Sequence, residues 1–261
     1  MATLFTFVRE HFVQQPFKSY FDGSGNKYLK KQAADSWQQE RSFVDGVAHE
    51  LRTPISVISA HAQQWQHLAG STSHGSAALI AAEATRMGRL LQVLLELARS
   101  DNGRLQLALQ CLDPEDALLM AYERLSSLAA DRLQLAMPSA SALPSIQVDQ
   151  DRLQQCLASL VDNALAYGEG PIQLWAESIG GHVVLHVQDD GPGIPSAERE
   201  KVMQRFQRGT TATGTRGSGL GLALVQQLVE LMNGELRIAD AAAGGADLQL
   251  WFRASAPPPA P

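Results

Sequence analysis

The spacing of apolar residues changes near residue 104, and this change constrains the fold more than any other feature of the sequence. Before that point, apolar residues recur at every third or fourth position over long stretches, which is typical of amphipathic helices. After it, stretches with apolar residues at alternate positions, typical of half-buried strands, are interleaved with helical stretches. A chain of 261 residues is long enough for two modest domains. The sequence therefore predicts an all-α unit followed by a mixed unit.

Two long helices joined by a loop are expected in the first unit. The first helix is predicted from about residue 28 to 68, with Val47 and Leu51 on its buried side. The stretch AGSTSHGS at 69–76 breaks the pattern, and a second helix is predicted at 76–100. Because two helices alone bury too little apolar surface for a stable core, we expect two copies of this hairpin to form a homodimeric four-helix bundle.

The second unit has the sequence pattern of an α+β sandwich. Strands are predicted at 104–112, 132–138 and 145–149, and hairpins at 171–190 and 234–254. Helices are predicted at 114–130, 149–168 and 219–233. Hairpins on one side and helices on the other predict two packed layers. The Pro-rich end of the chain, at 255–261, is expected to be a disordered tail.

Composition argues against several classes of partner. The formal net charge is −6, so the chain has no global electrostatic reason to bind nucleic acid or an anionic membrane. Cys111 and Cys156 are the only cysteines, which fits a reducing compartment and no structural metal. No apolar run reaches the roughly 18 residues that a membrane span needs. We therefore expect no nucleic acid partner and no membrane contact from this chain itself.

Two glycine-rich motifs in the second unit are candidates for a ligand site. VQDDGPGI at 187–194 places Asp189 at the end of a predicted strand, just before Gly191 and Gly193. Glycines let the backbone approach a flat ligand closely, and a carboxylate beside them can accept a hydrogen bond from an exocyclic amine. GTRGSGLGL at 214–222 opens a helix, where free backbone N–H groups suit phosphate. Considered alone, each motif fits an ordinary turn or loop equally well.

A third motif, LVDNALAYG at 160–168, places Asn163 on a largely apolar helix. Its amide oxygen is a candidate ligand for Mg²⁺, a hard cation that takes oxygen donors and shares them with substrate phosphates. A cap or a solvated polar face would explain Asn163 by itself. The order along the chain of Asn163, the Asp189 motif, RFQRG at 205–209 and the second glycine run is more specific than any of its parts.

In this order the four segments resemble the N, G1, F and G2 boxes of sensor histidine kinases. Their catalytic domain has the Bergerat fold, shared with the ATPase domains of gyrase, heat-shock chaperones and mismatch-repair proteins. GVAHELRTPIS at 46–56 resembles the H box of the family's dimerisation and phosphotransfer domain. The resemblance implies that domain at 32–103 and a Bergerat-type ATP-binding domain at 104–254. Residues 1–31 are expected to form an N-terminal helix and linker, in which 5–21 resemble the first helix of a membrane-proximal signal-relay module.

His49 is the candidate phosphoacceptor of the H box. On a helix, His49 shares a polar stripe with Thr53 and Ser56, while Val47 and Leu51 take the buried stripe. We therefore expect His49 to be exposed, so that a nucleotide-bearing domain can reach it. Histidine suits this task because a neutral imidazole is nucleophilic at physiological pH.

The resemblance implies roles for three neighbours of His49. Glu50 would act as general base, although adjacent residues of a helix do not face each other squarely. Thr53 would orient the water that attacks a phospho-aspartate on a partner, in a phosphatase reaction. Pro54 removes a backbone hydrogen bond and predicts a bend in the helix beside His49.

The resemblance also implies how the second unit would bind ATP. Asp189 would accept a hydrogen bond from the adenine amino group, and Asn163 would hold Mg²⁺ on the phosphates. A lid at about 206–218 would cover the phosphates, and Arg208 and Arg216 would neutralise charge on the γ-phosphate, although ordinary surface charge explains these arginines equally well. The expected nucleotide contacts are Asn163, Tyr167, Asp189, Gly191, Gly193, Ile194, Arg208, Arg216, Gly217, Gly219, Leu220 and Gly221.

Three positions depart from the family's pattern. Ser159 stands where the first asparagine of the N box is usual, Ala166 where a lysine or arginine is usual, and Gln207 where an aromatic residue is usual. The loss of an amide and of a cation near the phosphates is expected to slow phosphoryl transfer. Asn163 and Asp189 remain, so nucleotide binding is expected to survive.

The expected function is that of an ATP-dependent protein histidine kinase. As a homodimer with ATP and Mg²⁺, it would phosphorylate itself on His49 and pass the group to an aspartate in the receiver domain of a response regulator. It is also a candidate phosphatase for that regulator. The expected location is the cytoplasm, alone or as the cytoplasmic portion of an inner-membrane sensor.

Two alternatives to this function remain open from the sequence. The first is a dimeric docking or phosphatase module with a degenerate nucleotide site, which Ser159 and Ala166 favour. The second is an ATPase of the gyrase or chaperone type, against which the H-box helix argues because those proteins have no such phosphoacceptor.

Overall fold

The computed structural model describes most of the second unit and part of the first. The described residues are 47, 51, 53–58, 60, 73–101, 105–129, 131–136, 142–210, 218–241 and 244–255. Outside them lie the segment 1–31, His49, Glu50, Arg216, Gly217 and the tail that follows Ser255. The described positions of the helix expected at 28–68 are all helical. Among them, Thr53 and Ser56 are exposed and Pro54 is buried, which agrees with the predicted polar stripe.

The described elements follow the order expected from the sequence. They are α1 (Ser73–Asp101), β1 (Leu109–Leu112), α2 (Pro114–Leu125), β2 (Leu133–Leu135), β3 (Ser145–Asp149), α3 (Gln150–Tyr167), β4 (Ile172–Ile179), β5 (His182–Gln188), α4 (Arg199–Val202), α5 (Gly221–Leu231), β6 (Glu235–Asp240) and β7 (Ala246–Ser255). Three differences are local. The helix expected at 114–130 ends at Leu125, as α2. The strand expected at 104–112 is shortened to β1, and the short helix α4, with a 3₁₀ turn at Ser196–Glu198 before it, was not predicted.

The strands form one sheet in the order β1-β3-β7-β5-β4-β2, with β6 pairing along β7. β2 runs parallel to β4, and the other described pairs are antiparallel. The predicted hairpin β4–β5 turns at Gly180 and Gly181, whose φ values of 56° and 80° suit a tight turn that takes two positive φ angles. The second predicted hairpin is β6–β7.

Helices α2, α3 and α5 cover one face of the sheet and form the second layer of the sandwich. Alternate side chains of β5 point toward this face. Leu185 and Val187 are among them and are fully buried; Leu185 pairs with Ala176 of β4, and Val187 pairs with Leu174. Burial of each such side chain contributes about 1.5–3 kcal/mol to folding. The chain therefore has the predicted α+β sandwich.

The C-terminal part of α1 packs on this sandwich at the start of α3. Glu96, which is only 8% exposed, forms an ion pair with Arg152 at 3.1 Å. The same carboxylate accepts a hydrogen bond from the side-chain amide of Gln155. Beside them, Leu97 is fully buried, and α1 also packs against α5. The shared carboxylate of Glu96 therefore links α1 to α3.

In the described ranges, no helix combines the length and the apolar character needed to cross a bilayer. Within the same ranges, no group of three or more His, Cys, Asp or Glu side chains is arranged to hold a metal ion. Cys111 is exposed and Cys156 is buried, and neither is in a disulfide bond.

Candidate functional site

Asp189 lies where β5 ends, beside the first residue of β7, and is 7% exposed. Its Oδ1 accepts hydrogen bonds from the backbone N–H groups of Gly191 at 2.8 Å and Ala246 at 3.2 Å. The backbone N–H of Asp189 donates to the carbonyl of Ala246 at 2.9 Å. Because both backbone donors use Oδ1, Oδ2 remains the oxygen that can accept a hydrogen bond from a ligand.

Burial raises the pKa of Asp189 above its ordinary value. The N–H groups of Gly191 and Ala246 oppose this rise, because they stabilise the carboxylate. The neighbouring charge of Asp190 raises the pKa further, and that of Arg132 lowers it. The site therefore holds a carboxylate acceptor in a largely water-free setting, where a hydrogen bond from a neutral amine contributes more than it would in water.

Glycines bring the backbone close to Asp189 from two sides. A Cβ added at Gly191 would lie 2.9 Å from Oδ1 of Asp189 and 3.0 Å from the carbonyl oxygen of Tyr167, at the end of α3. On the other side, Gly245 has a φ of 91°, and a Cβ there would overlap the carbonyl oxygen of Asp189. Gly193, with a φ of 70°, lies against the backbone of Gly245. These contacts join the end of α3, the loop after β5 and the β6–β7 turn.

Gly245→Ala is expected to destabilise the fold by about 3 kcal/mol, because backbone strain and overlap with Asp189 add together. Gly244→Ala is the matched control, since Gly244 has nearly the same φ, 89°, but no atom lies within 4 Å of an added Cβ. This control should cost only about 1 kcal/mol in strain. Urea unfolding measures both free energies of unfolding. Equal losses in the two variants would contradict the close approach of Gly245 to Asp189.

A second set of contacts joins the segment at 205–209 to the start of α5. The N–H of Phe206 donates to the carbonyl of Gly219 at 2.8 Å, and a Cβ on Gly219 would lie 2.7 Å from the carbonyl oxygen of Gln207. At the first residue of α5, a Cβ on Gly221 would lie 3.0 Å from Oγ of Ser159 on α3. Among the described residues, no side chain caps the N-terminus of α5, and free N–H groups at a helix start suit a phosphate.

The unpredicted turn and helix at 196–202 anchor the chain just before the expected lid. The carboxylate of Glu198 accepts hydrogen bonds from Thr210, at 2.9 Å from its N–H and 2.7 Å from its hydroxyl. These bonds hold the pKa of Glu198 below its ordinary value. Arg199 donates to the carbonyl of Ile194 at 3.1 Å and pairs with Asp240 at 2.5 Å. The described part of the expected lid, 206–210, is thus tied back to the sandwich.

The expected site residues differ in what they offer a ligand. Asn163 is half-buried on α3, and within the described part of the chain no hydrogen bond is found for its amide. Leu220 is fully buried, so only its backbone can face a ligand. Arg208 is exposed. The structure thus brings Asp189, Gly191 and Gly193 next to the end of α3, and joins Gly219 and Gly221 to 205–209 and to α3.

Several residues of the site were missed by sequence reasoning. Gly245 and Ala246 support Asp189 directly, and the N–H of Gly170 donates to Asp190 at 2.8 Å. The pair Gly244–Gly245 signals a hairpin turn in the sequence. Which loop this turn touches depends on the pairing of β5 with β7, which the local sequence does not reveal.

Two family models match the chain. Residues 39–103 match the His Kinase A (phospho-acceptor) domain, and residues 148–256 match the histidine kinase-, DNA gyrase B- and HSP90-like ATPase. Both matches cover segments that carry the motifs described above. The chain belongs to the sensor histidine kinase family.

Members of this histidine kinase family are similar in sequence to this chain over most of its length. The sensor histidine kinase ZraS of Escherichia coli O157:H7 is 36% identical over 212 residues, which cover 79% of this chain and 44% of ZraS. The sensor histidine kinase YkoH of Bacillus subtilis is 30% identical over 223 residues, covering 84% of this chain and 48% of YkoH. The chain thus spans slightly less than half the length of these curated relatives.

Among solved structures, full-length ShkA in complex with AMPPNP has a TM-score of 0.60 and 28% identity, covering 80% of this chain and 45% of ShkA. The histidine kinase ThkA in complex with response regulator protein TrrA has a TM-score of 0.66 over 90% of this chain and 68% of that one, at 19% identity. At that identity, the similarity to ThkA shows the fold alone.

Proposed function

We propose that this chain is an ATP-dependent protein histidine kinase of two-component signalling. As a homodimer, it transfers the γ-phosphoryl group of ATP to His49 and then to an aspartate in the receiver domain of a response regulator. One observation carries this proposal: a buried carboxylate, Asp189, sits among glycine contacts in a chain that also matches the phospho-acceptor domain over residues that include His49. A chain with both parts holds the donor site and the acceptor.

Asp189 and Asn163 would bind the two ends of ATP. The free Oδ2 of Asp189 accepts a hydrogen bond from the 6-amino group of adenine, which distinguishes ATP from GTP because guanine carries a carbonyl there. The amide oxygen of Asn163 suits Mg²⁺ on the phosphates. The backbone N–H groups at the start of α5, beside Gly219 and Gly221, would bind phosphate, and the resemblance adds Gly217 to them. The complex of ShkA with the ATP analogue AMPPNP supports this assignment.

The reaction is an in-line phosphoryl transfer. A neutral imidazole nitrogen of His49 attacks the γ-phosphorus, the bond to the β–γ bridging oxygen breaks, and ADP leaves. Glu50 takes the proton from the other ring nitrogen, so that the phosphorylated imidazole is neutral and not a cation. The protein supplies position and charge neutralisation, with Arg208 and Arg216 as candidates to neutralise the γ-phosphate.

The homodimer and the response regulator are proposed as partners. The match to the phospho-acceptor domain supports a dimeric four-helix bundle built from residues 32–103, with the ATP-binding domain at 104–254. The complex of ThkA with response regulator protein TrrA supports a receiver domain as the phosphoryl acceptor. Residues 39–103 match the phospho-acceptor domain, and the gyrase-type alternative does not explain this match.

The test of this proposal is incubation of the purified chain with Mg²⁺ and γ-labelled ATP. A phosphohistidine loses its label in acid and keeps it in base, whereas phosphoserine and phosphothreonine do the opposite. We expect acid-labile, base-stable label. ATP binding without any label would contradict the kinase assignment and indicate a docking or phosphatase module instead. Steady-state hydrolysis with no label would indicate an ATPase.

Thr53→Ala is expected to slow dephosphorylation of a phosphorylated receiver domain about tenfold, because the hydroxyl no longer positions the attacking water. Thr53 is exposed on helical residues 53–58, where a partner can reach it. Autophosphorylation should remain within about twofold of wild type, since Thr53 does not contact ATP in this scheme. The measurement is the decay of label on a receiver domain that the wild-type chain phosphorylates.

Ser56→Ala is the matched control for Thr53, because it removes a hydroxyl from the same exposed stretch of helix. Dephosphorylation by this control should match wild type. Equal slowing by both variants would assign the effect to the surface that binds the receiver domain and would contradict a specific role for Thr53.

A further inference from the structure

His186 and Asp247 are buried on the face of the sheet that points away from the helices. Leu185 and Val187 of β5 lie on the helix-covered face, so His186 between them projects to the opposite face. Polar side chains on such a face are ordinarily solvated. Nevertheless His186 is 2% exposed and Asp247 is 7% exposed. Neither residue belongs to the proposed chemistry, so their burial needs a separate explanation.

These two side chains form a tightly defined pair. Nδ1 of His186 lies 3.0 Å and 3.1 Å from the two carboxylate oxygens of Asp247. Because a carboxylate only accepts hydrogen bonds, Nδ1 carries the proton in this pair. The imidazole also stacks on Trp175, with ring centres 3.6 Å apart and planes 8° apart. Gln249 donates to Asp247 at 2.7 Å, so both partners are held in place.

The second nitrogen of His186 makes no comparable bond. Nε2 is buried without a hydrogen-bond partner in the described part of the chain. Its nearest charged atom is a carboxylate oxygen of Glu177, at 3.4 Å. The orientation of the imidazole is therefore set by the Nδ1 bond to Asp247 and by the stack on Trp175.

The His186–Asp247 pair lies directly behind the support of Asp189. Asp247 of β7 pairs with Gln188 of β5. The next pair is Asp189, which follows Gln188, and Ala246, which precedes Asp247. Ala246 supplies the N–H that holds Oδ1 of Asp189. Ala246 also pairs with Asp240 of β6, and Gly245 before it lies against the backbone of Asp189. Asp247, the next residue of β7, continues the pairing with β5, so a shift of Asp247 reaches Ala246 directly along the strand.

We propose that His186 and Asp247 are a positioning pair that aims the Asp189 carboxylate at the 6-amino group of adenine. The inference rests on the proposed function, because it concerns how that site reads the base. His186 touches no nucleotide and acts through Asp247 and the N–H of Ala246. Breaking the pair allows Ala246 to shift, which weakens the contact to the amino group and leaves the phosphate contacts unchanged.

The test uses two substitutions at His186 that differ in where they place an amide nitrogen. His186→Asn puts the nitrogen near the position of Nδ1, and His186→Gln puts it near the position of Nε2. Dissociation constants of the full chain with Mg²⁺ are measured by calorimetry for ATP and for purine riboside triphosphate, which lacks the 6-amino group. The ratio of the two constants reports the amino-group contact alone. Melting temperatures show that each variant is folded.

We expect wild type to prefer ATP over the analogue by about tenfold, the contribution of one good hydrogen bond. His186→Gln should lower this ratio about fivefold, with little change for the analogue. His186→Asn should keep the ratio within about twofold of wild type, because the bond to Asp247 is retained. Asp247→Asn, which leaves His186 intact and keeps the side-chain shape, should lower the ratio about threefold.

An unchanged ratio in both His186→Gln and Asp247→Asn would overturn the inference and leave the pair a structural feature of the sheet. Equal loss of the ratio in His186→Asn and His186→Gln would also overturn it, since the Nδ1 bond would then not be the cause. Failure of the proposed function is seen separately, in wild type, as no binding of ATP or no preference for ATP over the analogue.

Discussion

His49→Gln is expected to abolish the label that the wild-type chain takes from γ-labelled ATP, by about a thousandfold or more. The lone pair of an amide nitrogen is delocalised into the carbonyl, so glutamine cannot replace imidazole as the nucleophile. ATP affinity should be unchanged, because His49 lies outside the segments proposed to bind nucleotide. The measurements are label incorporated per chain and the dissociation constant for ATP.

His61→Gln provides the control for His49, because it removes an imidazole from the same N-terminal unit. This variant should label like wild type. Retention of acid-labile label in His49→Gln would mean that another histidine is the acceptor, and loss of label in both variants would point to damage of the helical unit. Mixing His49→Gln with a variant that no longer binds nucleotide would further show whether one subunit of a dimer phosphorylates the other.

Asp189→Asn is expected to weaken ATP binding about fiftyfold while raising the melting temperature about 2 °C. The amide oxygen of asparagine can keep the bonds from Gly191 and Ala246, which places its NH₂ group where Oδ2 was. Two donors then face each other at the 6-amino group of adenine, so the hydrogen bond is replaced by repulsion. Stability rises because a buried carboxylate no longer has to ionise at neutral pH.

The pH dependence of both effects follows from the raised pKa of Asp189. In the folded state this carboxyl holds its proton to higher pH than in the unfolded state, so its contribution to stability is full below the unfolded pKa. That contribution is lost as the pH rises through the folded pKa. ATP affinity changes in the opposite sense, since only the ionised carboxylate accepts the bond from adenine without rearrangement. Asp189→Asn should remove both dependences.

Asp190→Asn is the matched control for Asp189, because it neutralises the adjacent, exposed carboxylate. ATP affinity should change by no more than about threefold, since an exposed charge contributes little. Thermal melts and calorimetric titrations across acidic and neutral pH measure all three proteins. Weak binding in Asp190→Asn equal to that in Asp189→Asn would contradict the assignment of Asp189 as the base-reading residue.

The order of elements was predictable from periodicity, because each element carries its own local pattern. The hairpin at Gly180–Gly181 and the helix at 149–168 are examples, confirmed within one or two residues as β4–β5 and α3. The shortening of the strand expected at 104–112 was not predictable. There alternation continues in the sequence, but only Leu109–Leu112 has a partner strand, β3, with which to pair. Pairing between distant strands is a tertiary property that local periodicity does not encode.

For the candidate site, the sequence alone identified the residues whose side-chain type suggests a role. Asp189 and the glycines beside it belong to this group, and their roles as ligand contacts stay predictions. The residues it missed act through the backbone. Ala246 contributes an N–H group, and Gly245 contributes the absence of a Cβ where two backbones approach. Any residue type could supply the N–H of Ala246, so its role cannot be inferred without the β5–β7 register.

Helix α3 touches both α1 and the loop at 189–193, and this predicts a mechanical consequence. At its first turn, Arg152 is paired with Glu96 of α1, and at its last residue the carbonyl of Tyr167 lies against Gly191. The 18 residues between these ends form a stiff rod of about 27 Å. We therefore expect a tilt of α1 that displaces Arg152 to shift α3 and, through Tyr167, the loop that carries Asp189. In the proposed scheme, movement of α1 and binding of nucleotide would therefore affect each other through α3.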